Sequence, residues 1–131
     1  VSVACPEGNR PPQEILEFAA GYGDKFELTD SPMQAAKDAD VVITDVWTSM
    51  GQEEERAARE AAFKGYCVDD KLMAQAKPDA MVQHCLPAHR GEEITAEVFE
   101  ANAQYIFEEA ENRLHAQKAV MVKTMGGEQS K

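Results

Sequence analysis

The sequence predicts an α/β fold, a Rossmann-like parallel sheet with helices on both faces. Three observations predict it. Short β-branched runs alternate with helical patterns along the chain. Two of those runs, Val41-Val42-Ile43-Thr44 and Ala80-Met81-Val82-Gln83-His84, lead straight into polar and reactive side chains. In parallel sheets that end of a strand is where ligands collect. The 131 residues, 44% apolar and 28% charged, suit one globular core and are too few for two domains of usual size.

In chain order, Val1 to Cys5 reads as a buried strand and Pro6-Glu7-Gly8-Asn9 as a turn. Asn9 is expected to cap a helix with Pro11 and Pro12 in its first turn. Ile15, Phe18, Ala19 and Tyr22 form that helix's apolar face, and Gly21 and Gly23 stop it. Lys25 to Thr29 is a short strand. Asp30-Ser31-Pro32 opens a helix reaching about Lys37, and Asp38-Ala39-Asp40 leads into the strand Val41 to Thr44.

Ser49 and Gln52 have capping-box spacing, with Glu53, Glu54 and Glu55 in the first helical turn, where the helix dipole favours anions. Glu55–Arg59 and Glu60–Lys64 are expected i, i+4 pairs, and Gly65 ends this helix. Asp69-Asp70 begins another short helix, with Leu72, Met73 and Ala76 apolar and Pro78 beyond its end. After the strand at 80–84, Thr95 caps a helical turn to Glu100. Gln104 to Phe107 reads as extended, and a helix runs from about Glu111 to Met125, with a flexible tail at 126–131.

Composition narrows function. A net charge of −11 argues against nucleic acid, whose phosphates need a basic surface. No apolar run approaches the roughly 20 residues of a membrane span. Cys5, Cys67 and Cys85, without C-x-x-C spacing, fit a reducing, cytoplasmic setting and argue against a disulfide frame or a zinc site. The chain opens on Val1 with no signal-peptide pattern, and a fragment is expected. Gly21-Tyr22-Gly23 follows a helix, so it is no dinucleotide fingerprint, which must follow a strand.

The chemistry concentrates at two corners. Cys85-Leu86-Pro87 breaks the strand at 80–84, because proline cannot continue its hydrogen bonding. Asp45 to Gly51 follows the strand at 41–44. The first corner alone reads equally as a buried cysteine before an ordinary proline turn. Two loaded strand ends in one sheet suggest a shared cleft. Trp47 reads as core or cleft wall, and His84 as packed or hydrogen-bonded under its strand. His89 and Arg90 lie on a loop, and His115 has no local partner.

Three motifs, in this order, resemble those of the carbamoyltransferases, ornithine carbamoyltransferases in particular. They are Asp45-Val46-Trp47-Thr48-Ser49-Met50-Gly51, His84-Cys85-Leu86-Pro87 and Glu111-Asn112-Arg113. Residues 1 to about 125 resemble the second, ornithine-binding half of such an enzyme. The resemblance implies attack of the ornithine δ-amine on carbamoyl phosphate, giving citrulline and phosphate, as in arginine biosynthesis or the urea cycle. It implies direct transfer, with no cofactor and no metal.

It also implies roles. Asp45 and Ser49 would take the α-ammonium of ornithine, and the Met50 amide, at a helix start, its carboxylate. Cys85 would orient the reacting amine. The Leu86 carbonyl, turned inward by a cis Leu86-Pro87 bond, would accept from substrate nitrogens. Arg113, expected at a helix start, would reach the carbamoyl oxygen as negative charge develops there. Otherwise it pairs with Glu109 or Glu111 on the surface. The same loop of His89 and Arg90 would be mobile, or else plain surface.

Departures from the family pattern are equally informative. The S-x-R-T and H-P-x-Q segments that hold carbamoyl phosphate do not occur, nor does the strand with its Gly-Asp-Gly-Asn-Asn turn. In a sheet of order 3-2-1-4-5 that strand is the middle one, so the strands at 1–5 and 41–44 should each keep an unpaired edge. The expected partners are a complementary N-terminal carbamoyl-phosphate domain or further copies of the chain, a trimer in the family. Catalysis by the chain unaided is not expected. Two alternatives stand beside this: a non-catalytic assembly or binding protein, and a sister carbamoyltransferase for aspartate, putrescine or N-acetylornithine.

Overall fold

A computed structural model describes residues 1–48, 51 and 53–125. Ser49, Met50, the Ser49–Gln52 capping box and the tail at 126–131 lie outside the described residues. Strands β1 (Ser2–Ala4) and β2 (Glu27–Thr29) pair in parallel, Ser2 opposite Glu27 and Ala4 opposite Thr29. Strands β3 (Val41–Thr44) and β4 (Met81–His84) form a second parallel pair, Val41 opposite Met81 and Thr44 opposite His84. The two pairs are separate sheets. The expectation of an unpaired edge at each of β1 and β3 is therefore met.

Alternation along β3 and β4 sets the core. Val42 and Val82 lie opposite one another and are buried, as is His84 opposite Thr44, whereas Val41 and Ile43 face outward. Ala36, Val68, Leu72, Ile94, Val98, Phe99 and Ile106 complete one apolar cluster around them. The carbonyl of Asp40 accepts from the Met81 amide, which fixes the β3–β4 register.

Helix α1 covers Gln13–Ala20, and its N-terminal neighbour is Pro12 with no side-chain cap. The expected Asn9 cap is thus corrected. Glu7–Asn9 forms its own tight turn, and Pro11 and Pro12 precede the helix instead of opening it. Three other caps match their sequence signals. Ser31 accepts from Gln34 N–H at the start of α2 (Pro32–Ala35), and Asp69 from Leu72 N–H at the start of α4 (Asp70–Met73). Thr95 does the same for Val98 at the start of α5 (Ala96–Ala101). Helix α3 is Arg56–Ala62, preceded by a tight turn at Glu53–Glu55. The Glu55–Arg59 pair forms at 3.1 Å, but Glu60 pairs with Arg56 instead of Lys64.

The largest correction concerns the C-terminal helix. Helix α6 spans Ala103–Met125 without a break, so 104–107 is helical and the helix starts eight residues before Glu111. Asn102 explains this. Its carbonyl accepts from the Tyr105 and Ile106 amides, opening α6, while its side chain accepts from Val82 N–H and donates to the Val98 carbonyl. Asn102 thereby starts α6 and covers the outer edge of β4, and Ile106 is drawn wholly into the core. Tertiary packing outweighs the β preference of Tyr105, Ile106 and Phe107. No described helix is long and apolar enough to cross a membrane.

Candidate functional site

The carboxyl ends of β3 and β4 stand side by side, because Thr44 is registered with His84. The residues that follow them, Asp45 and Cys85, meet there. Cys85 Sγ donates to Asp45 Oδ1 at 3.2 Å, and the same oxygen accepts from Val46 N–H at 2.7 Å. The thiol is pushed above its ordinary pKa, first by burial, then by the Asp45 hydrogen bond and charge, with Arg113 opposing. At neutral pH Cys85 is therefore a protonated donor, not a thiolate nucleophile.

Arg113 lies in the middle of α6, not at a helix start. Its Nη1 donates to the Cys85 carbonyl at 3.4 Å, a long bond. The surface pairing with Glu109 or Glu111 is not what it makes. Glu111 instead takes His115, at 3.2 Å, which corrects the expectation that His115 has no partner. Glu109 lies close enough to Cys85 to act on its thiol, and one of its carboxylate oxygens is buried without a partner among the described residues, as is Thr48 Oγ1.

Between Cys85 and Arg90 the chain turns sharply. Leu86-Pro87 is cis, and Leu86 has φ of +56°, a left-handed conformation disfavoured for a bulky residue. A buried network holds this turn from below. Leu86 N–H donates to His84 Nδ1 at 2.9 Å, so the His84 proton sits on Nε2 and is donated to Glu93 Oε1 at 3.0 Å. Glu93 Oε1 also accepts from His89 N–H at 2.6 Å. His84 and Glu93 are both 0% exposed.

Glu93 reaches this depth because the loop carrying it is stitched to the chain after α3. Val68 N–H donates to the Glu93 carbonyl and Thr95 N–H to the Val68 carbonyl, at 2.8 and 3.1 Å. Sequence reasoning passed over Glu93. Its only signal was an acid within reach of a strand-end histidine, nine residues away, across a loop of unknown path. Arg90, on the same loop, is anchored. It bonds Glu100 at 2.7 Å and lies 4.2 Å over the Phe99 ring.

The site thus brings together Asp45, Cys85, Leu86 and Arg113. Ser49 and Met50 are outside the described residues. Asp45, His84 and Cys85 also offer three potential metal-ligand atoms within 4.8 Å of one another. Both nitrogens of His84 are already engaged, so a metal there would have to displace the contacts that hold Leu86 and Glu93.

The sequence profile "Aspartate/ornithine carbamoyltransferase, Asp/Orn binding domain" matches residues 1–124. An ornithine carbamoyltransferase of Geobacter metallireducens is 56% identical over 122 residues, covering 92% of this chain and 40% of the relative. One from Methanoculleus marisnigri is 53% identical over 127 residues, covering 97% and 41%. Among solved structures, the anabolic ornithine carbamoyltransferase of Campylobacter jejuni superposes with a TM-score of 0.86 at 45% identity, covering 92% of this chain and 41% of that one. The Pyrococcus furiosus enzyme gives 0.85 at 50% identity, covering 97% and 42%. The chain spans about two fifths of the length of each.

Proposed function

Since the chain belongs to the aspartate/ornithine carbamoyltransferase family, matching its Asp/Orn binding domain over residues 1–124, we propose that it is the ornithine-binding half of an ornithine carbamoyltransferase. The observation that carries this reading is the single corner in which Cys85 Sγ bonds Asp45 while Arg113 bonds the Cys85 carbonyl. The names of the similar proteins favour ornithine over the other amines.

In the proposed reaction the δ-amine nitrogen of ornithine forms a bond to the carbonyl carbon of carbamoyl phosphate. The bond from that carbon to the phosphate oxygen breaks, phosphate departs with its electron pair, and the amine loses a proton. Asp45 is the carboxylate for the substrate ammonium, with Ser49, and the Met50 amide holds the carboxylate. The Cys85 thiol orients the amine, and the Leu86 carbonyl, fixed by the His84–Glu93 network, accepts from substrate nitrogen. Arg113 exchanges its long bond to Cys85 for the carbamoyl oxygen, where charge accumulates in the transition state.

The chain acts together with a carbamoyl-phosphate domain, in a family-type oligomer in the cytoplasm, within arginine biosynthesis or the urea cycle. The test mixes the chain with the isolated carbamoyl-phosphate domain of a relative and measures citrulline. Citrulline formed only in the mixture supports the reading, whereas turnover by the chain alone contradicts it. A second reading, a non-catalytic assembly protein, draws on the open strand edges. Stable association with other chains, without any ornithine binding, would favour it.

A further inference from the structure

The Glu93 carboxylate is 0% exposed, and its Oε1 takes two donors, His84 Nε2–H and the His89 amide. Neither brings a positive charge, since His84 Nδ1 accepts from Leu86 N–H and that ring is neutral. Oε2 has no hydrogen-bond partner, and no lysine or arginine pairs with Glu93, among the described residues. A carboxylate held out of water calls for a cation or a full set of donors. Facing Oε2 at 3.9 Å is His89 Nδ1, also a buried atom without a partner among the described residues. The gap is too long for a hydrogen bond.

We propose that His89, Glu92 and Glu93 form a site for one divalent cation of the zinc class. Its ligands are His89 Nδ1, Glu93 Oε2 and a carboxylate oxygen of Glu92, with a further position for water. The donor atoms of these three residues lie within 4.8 Å of one another. Around a four-coordinate ion held at about 2.0–2.1 Å, neighbouring donors lie about 3.3–3.4 Å apart. The His89 side chain is 43% exposed, so its ring has room to close that difference and solvent reaches the site. The proposal is independent of the ornithine reading.

The loop that carries the ligands is built before any ion arrives. Gly91, at φ of +93°, donates its N–H to the Ile94 carbonyl at 2.8 Å, and Glu92 N–H donates to the His89 carbonyl at 3.0 Å. This turn brings side chains at i, i+3 and i+4 to one side. Arg90 fastens the loop to Glu100 and Phe99, and Val68 fastens Glu93. Ligands held on a fixed frame lose little freedom on binding.

The donor set selects the ion. One imidazole and two carboxylates suit zinc and its first-row neighbours, whereas calcium and magnesium prefer oxygen alone. No thiol belongs to the set, so the cysteine spacing that argues against a thiolate zinc site does not bear on it. In the Asp45–His84–Cys85 cluster a metal must displace existing bonds. Here Nδ1 and Oε2 are available as they stand. One neighbour opposes the ion: Arg56 bonds Glu92 Oε1, which leaves Glu92 its second oxygen but places a positive charge beside the site. A bound cation would tie His89 to Glu93, and through Glu93 and His84 would steady the Leu86 turn.

The probe is cobalt(II) chloride, titrated into the full chain and into Cys85→Ser, which takes the thiol out of the competing cluster. Visible d–d absorption counts the ions, and NMR locates them by paramagnetic shifts. Saturation at one ion in Cys85→Ser is expected, with the His89 ring and the Gly91 and Ile94 amides shifted in both proteins. In the Cys85→Ser background, His89→Ala and Glu92→Gln should each weaken affinity at least about tenfold with unchanged circular dichroism. Arg56→Ala should bind the ion more tightly, a sign that a merely structural role for Arg56 would not give. If His89→Ala does not fold, the shifts in the unmodified chain decide. Absence of saturable binding, as when a water fills the gap instead, overturns the proposal. So does binding that leaves the His89 ring unmoved, or equal affinity in His89→Ala. Unchanged or weaker binding in Arg56→Ala overturns Glu92 as a ligand.

Discussion

Cys85 Sγ and Asp45 Oδ1 are 3.2 Å apart although 40 residues separate them in the chain. The contact exists because β3 and β4 pair in register and each ends one residue before its reactive group. Burial and the Asp45 carboxylate both hold the proton on sulfur. Folded Cys85 should therefore alkylate with iodoacetamide at pH 7.5 more slowly than the same cysteine in urea. Asp45→Asn, which removes the charge, should raise that rate. Mass spectrometry of the labelled peptide measures both, and a folded Cys85 that outpaces the unfolded one would contradict the assignment.

Alkaline pH should destabilise the chain. Cys5, Cys67 and Cys85 are all raised above their ordinary pKa, burial being the largest cause for each. A raised thiol binds its proton more tightly in the folded state. Its contribution is fully present below the unfolded value, about 8.5, and is lost as pH climbs through the folded one. Urea midpoints should fall from pH 8 to pH 10, and a triple Cys→Ser variant should show a shallower fall.

Glu93→Ala should cost about 3–5 kcal/mol in urea unfolding, because it strands the buried His84 Nε2–H and takes the acceptor from the part-buried His89 amide. Glu93→Gln keeps an acceptor and should cost less. Equal stability of Glu93→Ala and the parent chain would show that the network does not support the Leu86 turn.

Arg113 is exposed and, among the described residues, makes one long bond, so Arg113→Ala should change stability by no more than about 0.5 kcal/mol. Citrulline formation in the two-component assay should fall by about 10²–10³-fold. Arg113→Lys should recover only part of it, since a single ammonium lacks the planar fork.

Helix α6 should exchange its amides unevenly. Ile106 is buried and Asn102 ties the start of the helix to β4, whereas residues 111–125 are exposed, Val122 and Met125 among them. Protection should be strong near 106 and fade past Arg113. Uniform protection to residue 125 would place an unrecognised partner against the helix.

Where local chemistry decides structure, the sequence was legible. Ser31, Asp69 and Thr95 each cap the helix their position announces, and the β-branched run at 41–44 is a strand. Asn9 failed because a proline-flanked backbone at Arg10 to Pro12 is extended and keeps it from the helix. The stretch 104–107 failed because its β preference competes with a burial that only the folded core creates around Ile106. At the candidate site, Asp45 and Cys85 could be read from strand ends. Glu93 could not, since its burial depends on how the loop docks on Val68, a tertiary event with no local sequence period.

The most direct measurement is calorimetric titration of L-ornithine into the chain at neutral pH, repeated with Asp45→Asn. One saturable site per chain, weakened at least tenfold by the substitution, is the predicted result. Absence of binding, or equal affinity in the variant, would contradict an ornithine site at the Asp45–Cys85 corner.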